Sequence, residues 1–410
     1  MASREKSFTG TSGDITYTGT LALYKYEYDL NNNLTRLAQS VNGHKWNVTY
    51  TYDKDNRPET VKLDNGVVIT TAYGSVTGRY DNTTIALSDN NNYVTDVLYK
   101  SGAEGSQTTV ISSYQNGSDD TYKYTYDKNG NITKITQGDA AFSYVYDSDN
   151  QLTRENLYYG NGNSNNATYV YTYDGCGNLL SKTRYAYTTG KVSELPENVE
   201  SYTYSNTTWG DQLTGYSSSD ADNQSTSITY DAMGNPVSYF GATLTWEGKQ
   251  LNNCSIASGK TISYDYDENG LRTQKTVNST VTKYYYNGST LMGMTTGTGS
   301  SAIVQLFSYD ASGKVVAVDY SKGGSNFTTY YYLRNAQGDI VKLIDGSGAT
   351  VVEYLYDTWG KLLEITGTLK DTVGTNQPFR YRGYVYDNET VWYYLKSRYY
   401  NSEIGQVHPR

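Results

Sequence analysis

One short pattern recurs along the chain and constrains its folding more than any other feature: an aromatic or apolar residue, any residue, Tyr, then Asp. It stands at Tyr26/Tyr28/Asp29, Tyr50/Tyr52/Asp53, Tyr124/Tyr126/Asp127, Tyr144/Tyr146/Asp147 and Tyr171/Tyr173/Asp174. It continues at Ile228/Tyr230/Asp231, Tyr264/Tyr266/Asp267, Phe307/Tyr309/Asp310, Tyr354/Tyr356/Asp357 and Tyr384/Tyr386/Asp387. Three residues beyond the Asp stands Gly in six copies (Gly130, Gly177, Gly234, Gly270, Gly313, Gly360) and Asn in three (Asn32, Asn56, Asn150). Gly and Asn tolerate positive φ. Asp opening a type I turn, followed by a left-handed residue, builds the three-residue hairpin loop that ends in a bulge. All ten aspartates therefore read as hairpin tips. In such a hairpin the residue before Asp faces the residue five after it, pairing Tyr28 with Leu34, Tyr126 with Ile132, Tyr146 with Leu152, Tyr173 with Leu179, Tyr309 with Val315 and Tyr356 with Leu362. Pairs of this kind contribute roughly 0.2–1 kcal/mol each. A lone hairpin is marginal, so the copies are expected to pair laterally into a long sheet.

The spacing between tips is uneven, from the short step Asp127 to Asp147 to the long gap between Asp53 and Asp127. Degenerate copies are expected at Tyr202 to Tyr216 and Tyr330 to Asp345. Uneven spacing disfavours a propeller of equal blades and suits a sheet that spirals. Composition agrees with an all-β chain: 47 Tyr against 6 Phe and 5 Trp, 39 Gly, and few helix formers. Since Tyr buries its ring while its hydroxyl needs a partner, the interior should be semi-polar.

At this point the residues resemble a known family, the YD-repeat proteins: the Rhs and wall-associated polymorphic toxins of bacteria and the teneurin shells of animals. The likeness runs from about Tyr24 to the end. It is most specific in PFRYRGYVYDNETVWYYLKSRYYNSEIGQ, which looks like the Rhs core-associated motif. The resemblance implies a β-spiral of hairpins forming a hollow shell or barrel-like cocoon, whose core-associated segment plugs one end and which in toxin members encloses a C-terminal effector. The positions carried over to the plug are Arg380, Tyr381, Gly383, Tyr386, Asp387, Glu389, Tyr393, Tyr394, Leu395, Arg398, Tyr399, Tyr400 and Gly405. The expected divisions are a piece of repeat array over 1–23, the shell over 24–377 and the plug over 378–410. Val391-Trp392 and Gln406-Val407 depart from the family's usual Gly-Leu and Arg-Phe. The chain stops at His408-Pro409-Arg410, where the family continues into a self-cleavage segment, so no cleavage residue is carried over and a shell without its effector is expected.

Little in the sequence points to catalysis, and the expectation is a non-enzymatic scaffold without cofactor or metal. His44 and His408 are the only histidines, too few for a convincing nucleophile–base arrangement. Cys176 and Cys254 lack metal-type spacing and read as isolated thiols. Asp53-Lys54-Asp55 and Asp147-Ser148-Asp149 lack the glycine and glutamate of a calcium loop, so their carboxylates are expected to accept N–H groups of their own turns. Asp357-Thr358-Trp359-Gly360 and Asp371-Thr372-Val373-Gly374 superficially resemble aspartic-protease loops, but the first is a repeat tip. A net charge of −9 without a basic run disfavours nucleic acid as a partner. No stretch is apolar enough for a membrane helix, and MASREKSFTG lacks the apolar core of a signal peptide. The expected partners are a C-terminal effector or neighbouring repeat segments, with self-association through open strand edges, at the cell surface or outside the cell. The alternative is a surface adhesin or carbohydrate-binding module, in which Tyr faces and Trp209, Trp246, Trp359 and Trp392 contact cell-wall glycans.

Overall fold

The computed structural model describes residues 2–12, 15–87, 91–99, 107–115, 118–220 and 225–407. His408 lies outside them. The described chain is almost entirely antiparallel strand, each strand hydrogen-bonded to the next in sequence through most of its length. Among the described residues no helix is long and apolar enough to cross a membrane.

Nine of the ten aspartates sit at hairpin tips of one geometry. In the tip from Asp174 to Asn178, the Gly177 N–H donates to the Asp174 carbonyl at 3.1 Å and the Asp174 N–H to Asn178 O at 2.9 Å. The Asp174 carboxylate accepts the N–H groups of Cys176 (2.8 Å) and Asn178 (2.9 Å). The same pair of acceptances recurs at Asp29, Asp53, Asp127, Asp147, Asp231, Asp267, Asp310 and Asp357. The third residue after each Asp has positive φ, from 62° at Asn150 to 91° at Gly130 and Gly177. Tyr28 faces Leu34, Tyr146 faces Leu152 and Tyr356 faces Leu362, with a register shift just before each tyrosine. Two further tips complete the stretch read as degenerate: Asn335 and Asp345 accept N–H groups in the same way, with Gly338 and Gly348 at positive φ.

The tyrosine before the Asp has a second task. Its hydroxyl crosses to the preceding hairpin and donates to a main-chain carbonyl there: Tyr52 to Leu34 (3.0 Å), Tyr146 to Ile132 (2.9 Å), Tyr173 to Leu152 (2.8 Å) and Tyr356 to Ile340 (2.9 Å). Each acceptor lies five residues beyond the previous tip's first residue, where the bulge leaves a carbonyl outside the ladder. Phenylalanine could fill the same space but not make this bond, which favours Tyr over Phe at these positions.

The chain divides into two compact units, one of Met1–Thr95, Tyr114–Gly117 and Thr261–Val407, the other largely of Asp96–Ser113 and Ser118–Lys260. In the first, strands from Ile15–Tyr28 to Tyr80–Ala86 present Tyr24, Leu37, Val41, Trp46, Val48 and Tyr50 to a shared core with Tyr285, Met292, Val304, Leu306, Tyr331 and Ile344. The latter come from the strands between Thr261–Tyr266 and Leu362–Thr366, whose other face is buried too, through Tyr284, Tyr286, Phe307, Val318, Tyr332, Leu343 and Val352. Because side chains alternate across a strand, a strand buried on both faces accommodates the consecutive tyrosines 284–286 and 330–332.

In the other unit, one sheet face carries Tyr144 opposite Glu155, Glu155 opposite Tyr169, Tyr171 opposite Lys182 and Lys182 opposite Glu200. Glu155 is buried and accepts from the Tyr171 hydroxyl at 2.5 Å. The Lys182 ammonium lies 3.8 Å from Glu200 and over the Tyr169 ring. This is the semi-polar interior that a tyrosine-rich composition implies.

Candidate functional site

The residues after Gln377 gather the most unusual chemistry of the first unit. A short four-stranded sheet, built from Val385–Asp387, Trp392–Tyr394, Tyr399–Asn401 and Gln406–Val407, packs on the strands that end the repeat array. Pattern alone makes Asp387 a tenth tip. The structure does place it at a hairpin tip, between Val385–Asp387 and Trp392–Tyr394, where the Val391 N–H donates to its carbonyl at 2.8 Å, but in a different turn and with its carboxylate turned to other partners; the missing Gly or Asn three residues later, where Thr390 stands, is the visible sign of the difference. Asp387 is buried and its carboxylate accepts from both terminal guanidinium nitrogens of Arg272, at 2.5 and 3.0 Å, and from the Lys275 ammonium at 2.9 Å. Lys275 also reaches Glu389 at 2.7 Å. Tyr264, Tyr284 and Tyr394 surround the guanidinium, whose carbon lies 5.4, 4.8 and 4.3 Å from their ring centres. The Tyr394 hydroxyl accepts the Arg272 main-chain N–H at 2.9 Å, and Tyr399 and Tyr266 share a hydroxyl contact of 3.1 Å.

Burial alone would favour a neutral Asp387. Arg272 and Lys275 outweigh it and hold the carboxyl down at about 2. Burial likewise opposes charge on Lys275, yet Asp387, together with Tyr284 and Glu389, keeps its pKa above the usual lysine value. The cluster is therefore a set of fixed charges rather than a proton-transfer group at neutral pH.

A second set of contacts grips the tip at Asp357. Three consecutive main-chain carbonyls accept tyrosine hydroxyls from the terminal segment: Thr358 from Tyr381 (3.2 Å), Trp359 from Tyr400 (2.6 Å) and Gly360 from Tyr393 (2.7 Å). Gly360 has φ 86°, and a Cβ there would lie 2.4 Å from the Tyr381 ring. Gly405 similarly lies under Trp359, where a Cβ would meet the indole at 2.8 Å. The Asp357-Thr358-Trp359-Gly360 motif is thus a docking surface with its peptide groups occupied. The neighbouring tip is held as well: the Arg382 N–H donates to Asp339 at 2.9 Å and its guanidinium to Gln337 O at 2.9 Å.

Arg380 is buried, and no carboxylate among the described residues pairs with it. Its guanidinium donates to the carbonyls of Gly374 (2.7 Å), Thr375 and Phe379 (both 3.2 Å), and to Gln377 O, and stacks 4.3 Å over Tyr354. It thereby pins the wide turn Lys370–Gly374, which contains the second protease-like motif. Gly383 supplies positive φ in the turn that follows, where its N–H donates to Arg380 O at 3.0 Å. Tyr386 packs against Tyr393 with ring centres 4.9 Å apart. Leu395 and Arg398 close a turn through the Leu395 N–H and Arg398 O, and the Arg398 side chain is exposed, apart from the charge cluster. His44 makes an edge contact with Phe327; Cys176 stands on an exposed tip and Cys254 is buried in the interior, with no disulfide between them.

Composition and spacing could not reveal Arg272 and Lys275 as partners of Asp387, since both lie far away in sequence on a strand of ordinary pattern. Asp339 and Gln337 were equally hidden.

No family model matches the chain. The tRNA3(Ser)-specific nuclease WapA of Bacillus spizizenii is 35% identical over 312 residues, 69% of this chain and 13% of that protein. The tRNA nuclease WapA of Bacillus subtilis is 36% identical over 182 residues, 44% of this chain and 8% of that protein. The chain thus spans a small part of the curated relatives it matches. Among solved structures, TcdB2-TccC3 without its hypervariable C-terminal region aligns with 95% of this chain and 22% of its own, with TM-score 0.65 and 18% identity. The TcdB2-TccC3-Cdc42 complex aligns equally fully, with TM-score 0.64.

Proposed function

We propose, for a chain that belongs to the Rhs/YD-repeat family, that it supplies non-catalytic wall and closure to a shell around a C-terminal effector. On this reading residues 24–377 form wall, 378–410 form the closing plug, and 1–23 belong to the same repeat array. The observation that carries it is the docking of the terminal segment through the buried Arg272–Asp387–Lys275 cluster and the three tyrosine bonds to the 358–360 carbonyls. A segment fixed this firmly, on groups held in one charge state, suits a seal rather than a site of turnover. The relatives are named as nucleases, and the matched stretch is a small share of each, which fits a wall that accompanies an effector encoded elsewhere in the longer proteins. The repeat tyrosines whose hydroxyls are committed to carbonyls favour this reading over a glycan-binding face. The same reading puts the chain outside the cell or at the cell surface, a setting compatible with its kinship.

The test is a fusion carrying a ribonuclease after Arg410. The expected result is a latent, protease-protected nuclease in the intact fusion, and a released one when Gly360→Ala disturbs the closure. A nuclease that is fully active and digestible in the intact fusion overturns the proposal.

A further inference from the structure

Loop 186–197, which joins Leu179–Tyr185 to Asn198–Thr203 in the second unit, is pinned at both ends and free in the middle. At its start the Arg154 guanidinium donates to Thr188 O at 2.8 Å and to Gly190 O at 2.7 Å. The Thr188 N–H donates to the hydroxyl of the buried Thr168 at 2.9 Å, and the buried Asn156 orients the guanidinium by accepting from its Nε at 3.0 Å. At its end the Glu197 N–H donates to Arg184 O at 2.8 Å, and the Glu197 carboxylate pairs with the Arg184 guanidinium. Between these pins Lys191, Ser193, Glu194, Leu195 and Pro196 are exposed, Leu195 by 82%. The single hydrogen bond of this stretch among the described residues stays within it, from the Leu195 N–H to the Ser193 hydroxyl at 3.1 Å. The adjoining loop 159–166 is different: Asn166 donates to Gly160 O and accepts the Tyr159 N–H, both at 2.7 Å, which ties that loop across its own neck. Exposed loops that are not tied down are where endopeptidases nick native chains.

We propose that the Glu194–Leu195 bond is a processing site for a glutamyl endopeptidase, and that the wall stays assembled after the cut. An endopeptidase takes its substrate as an added extended strand, so several residues on either side of the bond must have their main-chain groups free. For Glu194–Leu195 those residues run from Val192 to Pro196, all inside the free stretch. The bond after Lys191 fails this requirement because Gly190 O is committed to Arg154. The bond after Glu197 fails it because the Glu197 N–H is committed to Arg184 and its carboxylate is paired. Glu194 is the one anionic side chain between the pins, and a pocket that reads a carboxylate selects it. Hydrolysis adds one water across the peptide bond, leaving a carboxylate on Glu194 and an ammonium on Leu195. The cut ends do not part, because Leu179–Tyr185 stays paired with Ala167–Tyr173 and with Asn198–Thr203, which is itself paired with Gly215–Ser218. The inference goes beyond the shell reading: it concerns the covalent continuity of the wall and holds whether or not a cargo is enclosed.

The experiment treats the full native chain with a Glu-specific serine endopeptidase and follows the products by mass spectrometry and size-exclusion chromatography. The expected result is a fragment beginning at Leu195 that forms at least about a hundredfold faster than cleavage after any other glutamate among the described residues, since those on strands must first open locally. The two fragments should elute together as one particle of unchanged size. Glu194→Gln, an exposed and conservative change, should abolish the fragment and leave the thermal transition where it is. A native chain that yields no fragment beginning at Leu195, or yields it only after cleavage at those other glutamates, overturns the site. Fragments that elute apart overturn the assembled two-chain form, and a Leu195 fragment that persists in Glu194→Gln overturns the glutamyl assignment. A Lys-specific endopeptidase should leave Lys191–Val192 intact over the same period; equal cutting there overturns the argument from the pins.

Discussion

The hydroxyl of Tyr146 donates to the main-chain carbonyl of Ile132 across 2.9 Å, joining two consecutive hairpins outside their shared ladder. Ile132 begins the strand that leaves the tip of Asp127, so the tyrosine of one copy closes the bulge of the copy before it. Removing the hydroxyl leaves that carbonyl without its partner, which costs on the order of 1 kcal/mol. Tyr146→Phe and Tyr173→Phe should each lower the unfolding free energy by about that amount in denaturant titrations. Tyr28→Phe is the control: Tyr28 is half exposed, and its change should stay within about 0.5 kcal/mol.

Two glycines with nearly the same φ should respond differently to alanine. Gly313 has φ 84° and open space around it, so Gly313→Ala should cost about 1 kcal/mol of backbone strain. Gly360 has φ 86° and the Tyr381 ring against it. Gly360→Ala should cost several times more, on the order of 3 kcal/mol, and should expose the terminal segment to limited proteolysis while the Gly313 variant stays resistant.

Asp387→Asn leaves Arg272 and Lys275 buried without a full counter-charge. Breaking a buried pair by removing one partner costs roughly 3–5 kcal/mol, and the loss should appear as early release of the terminal segment in hydrogen exchange. Arg272→Met with Asp387→Leu, which removes both charges, should be milder than either single change.

The same carboxyl sets an acid limit. Its folded value of about 2 lies below the ordinary unfolded value near 3.9, so its contribution is complete above pH 4 or so and is lost as pH falls toward 2. The contribution at stake is about 2 kcal/mol. Terminal-segment protection measured against pH should hold through pH 5 and collapse below pH 4; collapse already at pH 6 would contradict the assignment.

Much of the fold was legible because the repeat is written in local chemistry. Asp accepts N–H groups two and four residues ahead, and Gly or Asn turns the chain three residues ahead, all within one short window. Asn335 and Asp345 escaped the strict Tyr-Asp pattern although Gly338 and Gly348 marked them, because Asn can replace Asp as acceptor and Ile can replace Tyr before it. The terminal site was less legible. Its segment was recognisable by resemblance, but the work of Asp387 depends on Arg272 and Lys275, brought there by the whole sheet. The grip on the 358–360 tip uses main-chain carbonyls, which every residue possesses and no sequence pattern can single out.

The tyrosine joint between hairpins has an evolutionary reading. Its acceptor is a bare peptide carbonyl, supplied equally by Leu34, Ile132, Leu152 and Ile340, so a joint does not care which copy stands on its far side. A tandem duplication or loss of one hairpin creates no mismatched junction, and such chains can lengthen or shorten their walls one copy at a time. The terminal segment lacks that freedom, because it addresses Trp359, Gly360 and Arg272 individually, and drift in wall length must therefore spare the last few copies.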